Sequence, residues 1–510
     1  MEIIPKITSY LSSLYSCTTN KFFEYIWPVK RQELSKFLSL TLLMFCILFI
    51  QNLIRAQKDS IVATMIGTET IAFLKFWGVL PAAFLVTMIY VKLVNKMKGE
   101  NIFYLIMTIF LAFFALFAFY IFPNHTELHL DAEHTKTLIH NFPNFKWFIL
   151  LLSNWSFSLF YIIAELWPNV VFALLFWQFV NNITDIEQSK RFYPLFGLLG
   201  QTGLYFSGTL LKNLANINQY LTKIFDLTQD TTSTSIQIVL TVVLVFGLLA
   251  IVAFWILNHK ILEPEQISKL QFTVKKQTMT IMESLKMVMA SRYIRLIATL
   301  LVCYGIAINL VEGPWKDAAR TIYKTPTEFA VFQGHYLSYT GIFTVLFVVL
   351  GSNIVRRLGL FIAAIITPLM VFITGMLFFM ISNFDGVAAL MVTSFVLTDP
   401  ALIAITIGAI QNVLSKSSKY TLFDSTKEMS YVPLETELKT KGKAAADIIG
   451  TKLGKSTSAL LQSLIFIIIP AATYQSISLY LMGVFCIICI IWIWTVRELG
   501  KEYNALIVKK

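Results

Sequence analysis

Apolar runs that are each long enough to cross a lipid bilayer as one helix recur along the whole of this sequence. The hydrocarbon core of a bilayer needs about 20 apolar residues per helix, and only helices and closed barrels satisfy their backbone hydrogen bonds inside lipid. The composition agrees, because 56% of the residues are hydrophobic and 14% are charged, whereas soluble domains carry about 25% charged residues. The sequence therefore predicts an all-α, polytopic membrane protein.

Twelve such runs can be separated, because basic residues, prolines or polar clusters lie between them. A polar connection at about 124–146 follows the third run, and a second basic segment follows the tenth. The eleventh helix is expected to start before its apolar run, near Ala444. We predict helices at about 34–54, 70–91, 102–122, 145–181, 195–211, 236–257, 296–311, 336–351, 360–381, 387–413, 456–469 and 477–496.

The lysines and arginines between the runs predict the orientation of the chain. Cytoplasmic connections of membrane proteins are enriched in these residues. Here they are concentrated in every second connection and near both ends of the chain, and the connections between helices 9 and 10 and between helices 11 and 12 have essentially none. Both termini are therefore expected in the cytoplasm. The same pattern explains the net charge of +12 without a nucleic-acid partner.

The longest basic connection divides the twelve helices into two sets of six. Parallel repeats of this kind are typical of the major facilitator architecture, whose substrate site lies between the halves near the membrane midplane. The predicted parts are a cytoplasmic arm at 1–33, a first half at 34–258, a basic cytoplasmic linker at 259–295, a second half at 296–497 with a cytoplasmic loop at 416–455, and a cytoplasmic tail at 498–510.

Charged residues lie inside or just after three of the apolar runs. A lysine and an aspartate are adjacent after both the first and the seventh run, half a chain apart. Ionisable residues at membrane depth are costly and usually mark a substrate path. Lysines there would offset the charge of a phosphate-bearing substrate, and the acids would keep it from being held too tightly. Buried ion pairs that only tie helices together are the alternative for the glutamates. The candidate substrate-binding residues are Lys58, Glu165, Glu312 and Lys316.

Catalysis and metal binding find little support in the sequence. Its helices contain no nucleophile–base pair, carboxylate dyad or metal set of the kind that an enzyme needs. The polar connection at 124–146 holds four histidines, of which His125 and His129 have i, i+4 spacing. A solvated loop explains this composition as well as a metal site does. We predict no catalytic residues, no metal and no cofactor.

The glycines of helix 5 predict close helix packing, whereas the tryptophans in the runs have two interpretations. Small residues along one face let membrane helices approach closely, and helix 5 carries Gly197, Gly200, Gly203 and Gly208. Tryptophan can stack on a nucleotide base, although anchoring at the membrane interface is its commoner role. Both possibilities stay open for Trp167, Trp177 and Trp315.

Four stretches resemble the signature stretches of the non-mitochondrial ATP/ADP translocases of obligate intracellular bacteria and plastids. The resemblance covers about 27–497. It implies a twelve-helix protein of the bacterial inner membrane that exchanges nucleotides without hydrolysing them. The stretches are Lys58-Asp59, Ala164-Glu165-Leu166-Trp167, Ile308-Asn309-Leu310-Val311-Glu312 with Trp315-Lys316, and Lys441-Gly442-Lys443-Ala444-Ala445-Ala446-Asp447.

The same resemblance implies roles for individual residues. The functional lysine after the first helix falls on Lys58, and the two functional glutamates fall on Glu165 and Glu312. A basic substrate motif before helix 11 falls on Lys441 and Lys443, without a preference between these two lysines. Import of host ATP in exchange for ADP is therefore the expected function.

Three residues depart from the pattern typical of ATP/ADP exchangers: Pro168, Asn169 and Pro314. The family contains carriers of other nucleotides, so exchange of other ribonucleotides such as GTP, CTP or UTP stays open. Proton-coupled nucleotide import, with a buried glutamate as the proton carrier, is a further alternative. The sequence does not indicate an oligomeric state.

Overall fold

The structure, a computed structural model, describes residues 29–225, 230–262, 281–384, 386–387, 399–435 and 438–508. Within these residues every regular element is helical. Most of the predicted N-terminal arm, the middle of the linker and the first part of predicted helix 10 lie outside the described residues.

The first half is built from six long helices. Short helical segments occupy the connection after α3, at His125–Leu128, Ala132–Asn141 and Lys146–Ser153, and another follows α5 at Leu214–Phe225. The long helices are α1 (Leu34–Met65), α2 (Thr70–Val94), α3 (Gly99–Ile121), α4 (Trp155–Ile183), α5 (Ile186–Lys212) and α6 (Thr231–Ile261).

Six long helices within the described residues also form the second half. A short helix at Ile281–Ala290 precedes them within the predicted linker, and another lies at Asp424–Ser430. Gly359, with φ of 80°, separates two helices that otherwise continue into each other. The long helices are α7 (Arg292–Ile322), α8 (326–358), α9 (Gly359–Asn383), α10 (Pro400–Ser418), α11 (Lys443–Ile468) and α12 (Tyr474–Val508).

Eight of the described helices are long and apolar enough to cross a membrane, namely α1, α2, α3, α4, α6, α7, α9 and α12. The apolar part of α11, Gly454–Ile468, is shorter. The all-α, polytopic architecture is thus confirmed. That α5, α8, α10 and α11 also cross the membrane stays a prediction with which the structure is consistent.

The sequence-based ends of the first and seventh helices are wrong. The predicted ends were at residues 54 and 311, but α1 continues to Met65 and α7 continues through Pro314 to Ile322. The two lysine–aspartate pairs therefore lie inside helices instead of after them. The prediction ended each helix at its first charges because an unpaired charge is costly in lipid. In the folded protein, opposite charges from several helices pair inside the bundle, so the helices can continue.

The two halves meet tightly at one end of the bundle, which we call the closed end and which holds residues 66–69. There the Thr68 hydroxyl donates a hydrogen bond of 2.5 Å to the Asp317 carboxylate. The Arg320 guanidinium lies 3.9 Å from the carboxylate of Glu69. Nearby, the Asn144 amide donates to the backbone carbonyl of Ile467.

Glycines bring α5 and α8 together at the same end. A Cβ atom on Gly334 would lie 2.7 Å from the carbonyl carbon of Leu211, and one on Gly208 would lie 2.7 Å from the carbonyl oxygen of Gly334. The predicted close approach is therefore confirmed for Gly208. Gly197, nearer the opposite end of α5, has no atom within 4 Å of such a Cβ. We call that opposite end, which holds the start of α5, the open end.

Candidate functional site

A buried aspartate connects lysines from both halves. Asp59 Oδ1 lies 2.8 Å from Lys58 Nζ on the same helix, and Asp59 Oδ2 lies 2.8 Å from Lys316 Nζ on α7. The side chains of all three residues are at most 5% exposed. One carboxylate thus neutralises two cations away from water, which is the pairing that buried charges require.

Glu312 extends this connection back to the first half. Its Oε1 lies 2.9 Å from Lys316 Nζ, one helical turn away, and its Oε2 lies 3.2 Å from Lys75 Nζ on α2. Lys75 also donates a hydrogen bond of 2.7 Å to the Asn309 side chain. Two further ion pairs, Asp59–Lys316 and Lys75–Glu312, therefore join the halves here, in addition to Arg320–Glu69 at the closed end.

Glu165 completes the arrangement on α4. Its Oε2 lies 3.0 Å from Lys58 Nζ, and this ammonium also lies 3.8 Å from the centre of the Tyr161 ring. Six side chains now form one continuous series of alternating charge, with three lysines and three acids. We call it the charge network: Glu165, Lys58, Asp59, Lys316, Glu312 and Lys75.

Local helix geometry places these side chains. Glu312 and Lys316 are four residues apart, so they share one face of α7. Lys75 lies in a π-helical stretch of α2, Leu74–Val79, and such stretches occur often at functional sites. A second π-helical stretch, Pro168–Phe176, begins three residues after Glu165. Pro168 thus marks a change of helix type next to the network.

Two tryptophans hold the helices that carry the network. The Trp167 indole donates to the carbonyl of Ile47 on α1, and the Trp315 indole donates to the carbonyl of Ile405 on α10. Both side chains are fully buried, at 0% and 1% exposure. Neither stacking on a base nor interface anchoring fits Trp167 and Trp315, because their rings are enclosed by protein.

Two small cavities border the network. The first contains about 300 Å³ of empty space and reaches Thr68 at the closed end. The second contains about 260 Å³ and is bordered by Asp59 and Glu312 together with residues from α1, α8 and α10. Its lining includes the cations Arg55 and Lys416.

Four of the six network residues are among the candidates predicted from the sequence, whereas Asp59 and Lys75 are not. Asp59 was noted only as a neighbour of Lys58. Lys75 had a usable signal, since it is the only charged residue between 70 and 91, and a lone lysine in an apolar run is a candidate site. Arg55 and Lys416 carried no signal that separates them from residues at a membrane interface.

The structure does not bring Lys441 and Lys443 to the network. Lys443 pairs with the carboxylate of Glu428, and its ammonium lies 5.7 Å from the centre of the Tyr431 ring. Burial raises the pKa of Glu428, but the hydrogen bond from Lys443 and the charge of Lys427 outweigh burial and lower that pKa below its usual value. Lys441 is exposed on the preceding turn. Both lysines lie at the open end.

The histidine-containing connection is packed against α4. His129 Nε2 lies 2.7 Å from the Ser156 hydroxyl. Burial, together with the charge of His125, lowers the pKa of His129 to about 4, so that His129 is neutral at physiological pH. Among the described residues, no group of three His, Cys, Asp or Glu side chains is placed to hold a metal ion.

Comparison with known proteins relates this chain to a transporter family. The family model described as TLC ATP/ADP transporter matches residues 14–503. The chain belongs to this family. It is therefore a multi-pass membrane transporter and not an enzyme, in agreement with its apolar helices.

Relatives of known name agree over nearly the whole chain. "ADP,ATP carrier protein 4" of Rickettsia bellii (strain RML369-C) is 71% identical over 95% of this chain and 93% of the relative. The protein of the same name in Rickettsia prowazekii (strain Madrid E) is 69% identical over 95% of both chains. "ADP,ATP carrier protein 3" of Rickettsia bellii is 46% identical over 95% of this chain and 98% of the relative.

Solved structures confirm the major-facilitator-like fold. The nucleoside transporter NupG matches with a TM-score of 0.54 at 11% identity, over 90% of this chain and 98% of NupG. A D-xylose-proton symporter matches with a TM-score of 0.54 at 12% identity, over 90% of this chain and 97% of the symporter. At such low identity the likeness concerns the fold alone.

Proposed function

We propose that this chain imports ATP in exchange for ADP by alternating access, without hydrolysing either nucleotide. The names of its relatives support these substrates. The observation that carries the proposal is the charge network, whose ion pairs Asp59–Lys316 and Lys75–Glu312 join the halves beside two cavities. Lys58, Glu165, Glu312 and Lys316 are the proposed substrate-binding residues.

The network provides a physical reason for exchange. In the empty carrier each lysine is paired with an acid, and these pairs hold the halves together. The phosphates of a nucleotide compete for the same lysines, since Lys binds phosphate as a compact charge. Binding therefore weakens the cross-half pairs and permits the halves to move. A carrier that reorients only when loaded must return one nucleotide for each that it takes in.

The proposed orientation places the closed end outside the cell and the open end in the cytoplasm of the bacterial inner membrane. Basic connections at the open end support it, because cytoplasmic segments are rich in Lys and Arg. Both termini are then cytoplasmic. Lys441 and Lys443 lie at the cytoplasmic mouth, where they would attract nucleotide before it reaches the network. The six-helix halves and the linker between them are the proposed moving parts.

Reconstituted vesicles test this function. Uptake of labelled ATP should depend on internal ADP and should leave the ATP unhydrolysed. Equal uptake into vesicles without internal nucleotide would contradict exchange, and accumulation driven by a pH gradient alone would indicate proton coupling. Competition by the di- and triphosphates of all four bases identifies the base. If GTP, CTP or UTP competes more strongly than ATP, that nucleotide and not ATP/ADP is the substrate.

A further inference from the structure

We propose that the second cavity binds the phosphate chain of the nucleotide, with Arg55 and Lys416 as its cations and Gln333 and Tyr336 as neutral donors. This inference rests on the proposed function and adds residues that the sequence motifs do not include. The cavity is bordered by α1, α7, α8 and α10, so both halves contribute to it.

The two cations of this cavity give it a positive excess. Glu312, an acid in its wall, is already paired with Lys316 and Lys75, and Asp59 is already paired with two lysines. The charge network is neutral by itself. Arg55 and Lys416 therefore add two positive charges that the network does not offset.

Within the part of the chain that the structure describes, neither cation forms an ion pair of 4 Å or less with a carboxylate. Lys416 Nζ lies 4.7 Å from the centre of the Tyr336 ring, and both cations border one space of about 260 Å³. Like charges in a confined space repel each other strongly at low dielectric. A bound polyanion would remove this repulsion, which makes the cavity selective for negative charge.

The unpaired polar atoms in the wall point to the same ligand. The Gln333 amide nitrogen and the Tyr336 hydroxyl have no hydrogen-bond partner within the structure, although both residues are only 4% exposed. Buried polar groups are normally paired, and an exception calls for a ligand or water. Both groups can donate, as can Arg55 and Lys416. These four donors fit phosphate oxygens, which only accept, while the two acids of the wall, Asp59 and Glu312, are held by the lysines of the network.

The position of the cavity fits the phosphate chain of a nucleotide. Arg55 precedes Lys58 by one turn of α1, on the side toward the open end, so the cavity lies between the network and the proposed cytoplasmic mouth. The space is narrow in this conformation, so the phosphate chain would enter it as the two halves move apart.

Inorganic tripolyphosphate tests the contact between the phosphate chain and the second cavity by itself, because this ligand has no base. We expect the purified full-length chain to bind it, and Arg55→Gln and Lys416→Gln each to weaken binding by about tenfold or more, as loss of a charge-assisted hydrogen bond does. Lys96→Gln is the matched control, since it removes an exposed charge near the open end. Its affinity should stay within about twofold of the wild-type value, because an exposed charge is screened.

Tyr336→Phe is a third, conservative variant, which keeps the site testable even if the two charge variants fail to fold. It removes one hydroxyl that has no partner, so the fold should be unaffected, while tripolyphosphate binding should weaken by about threefold. Wild-type affinity in all three cavity variants would overturn the inference. The inference would also be wrong if orthophosphate bound as tightly as tripolyphosphate and ATP did not displace it. The site would then be one for free phosphate.

Exchange by the wild-type protein, measured in parallel, separates the two proposals. If the wild type exchanges ATP for ADP and the cavity variants bind tripolyphosphate normally, the phosphate site is wrong and the proposed function stands. If the wild type binds tripolyphosphate but exchanges no nucleotide, the proposed function fails, and with it the assignment of this site to a nucleotide.

Discussion

Asp59 of the first half and Lys316 of the second form a buried ion pair of 2.8 Å. Any motion that opens the closed end must stretch or break this pair. Leaving one member of a buried pair without its partner costs about 3–5 kcal/mol, unless another charge takes its place. A substrate phosphate can take the place of the Asp59 carboxylate beside Lys316. The pair is therefore well placed to couple substrate binding to movement of the halves.

The first prediction separates a transport role of the Lys58–Glu165 pair from a structural one. Lys58→Gln should lower both the melting temperature and nucleotide exchange, because Glu165 loses its partner at 3.0 Å. The double variant Lys58→Gln/Glu165→Gln should recover most of the melting temperature, since no unpaired charge remains. Exchange should stay below about a tenth of wild type. Lys58→Arg should keep part of the activity.

Both quantities are measured on the same preparations, by thermal unfolding in detergent and by ATP uptake into ADP-loaded vesicles. Lys223→Gln, at an exposed position, controls for the loss of one charge. Recovery of exchange together with stability in the double variant would show that this pair only holds α1 and α4 together.

The second prediction ranks the two glutamates. Glu312 serves two lysines and its side chain is 8% exposed, whereas Glu165 serves one lysine and is 28% exposed. Glu312→Gln should therefore reduce stability and exchange more than Glu165→Gln, because it leaves two nearby cations less well neutralised. The melting temperatures and uptake rates of the two variants decide this. A larger loss in Glu165→Gln would contradict the ranking.

The fold class could be predicted from the sequence, because only helices and closed barrels can span a bilayer. The ends of α1 and α7 did not follow, since the sequence shows a charge but not its partner. Asp59 finds Lys316 at a separation of 257 residues, and only the fold brings them together. With that pairing, a segment that looks like a helix end becomes the middle of a helix.

The candidate site was predictable only to the extent that its residues interrupt apolar runs. Glu165 and Glu312 do so clearly, and resemblance to known translocases pointed to the same residues. Lys416 lies between two serines, and Arg55 lies at the start of a polar stretch that continues through Ser60, so a positive charge is ordinary at both positions. Their importance depends on a cavity shared by several helices, which no local pattern encodes.

The third prediction concerns Lys441 and Lys443 at the open end. Replacing both by Gln should weaken the apparent affinity for nucleotide on the cytoplasmic side more than on the outer side. The Debye length is about 8 Å at physiological ionic strength, so this difference should shrink as salt is raised. Oriented vesicles give the two affinities, and protease access checks the topology. Unchanged affinities with intact topology would show that these lysines only fix orientation.

The fourth prediction uses the glycine contact between α5 and α8 to bias the conformation. A methyl group on Gly334 would lie 2.7 Å from the carbonyl carbon of Leu211, and backbone atoms cannot move aside as a flexible side chain can. Gly334→Ala should therefore prevent full closure of the closed end. The protein should spend more time open to the outside, and exchange should fall by about tenfold or more, because each cycle requires that closure.

Accessibility of the closed end provides a readout that is independent of exchange. Thr68 is 1% exposed, so a cysteine placed there should react slowly with a membrane-impermeant maleimide added from outside. Adding Gly334→Ala should accelerate that reaction severalfold. Gly197→Ala is the matched control on α5, because a Cβ there meets no atom within 4 Å, and it should change neither labelling nor exchange. If Gly334→Ala leaves labelling slow and exchange normal, the close α5–α8 contact is not needed to shut the closed end, and its proposed part in alternating access is wrong.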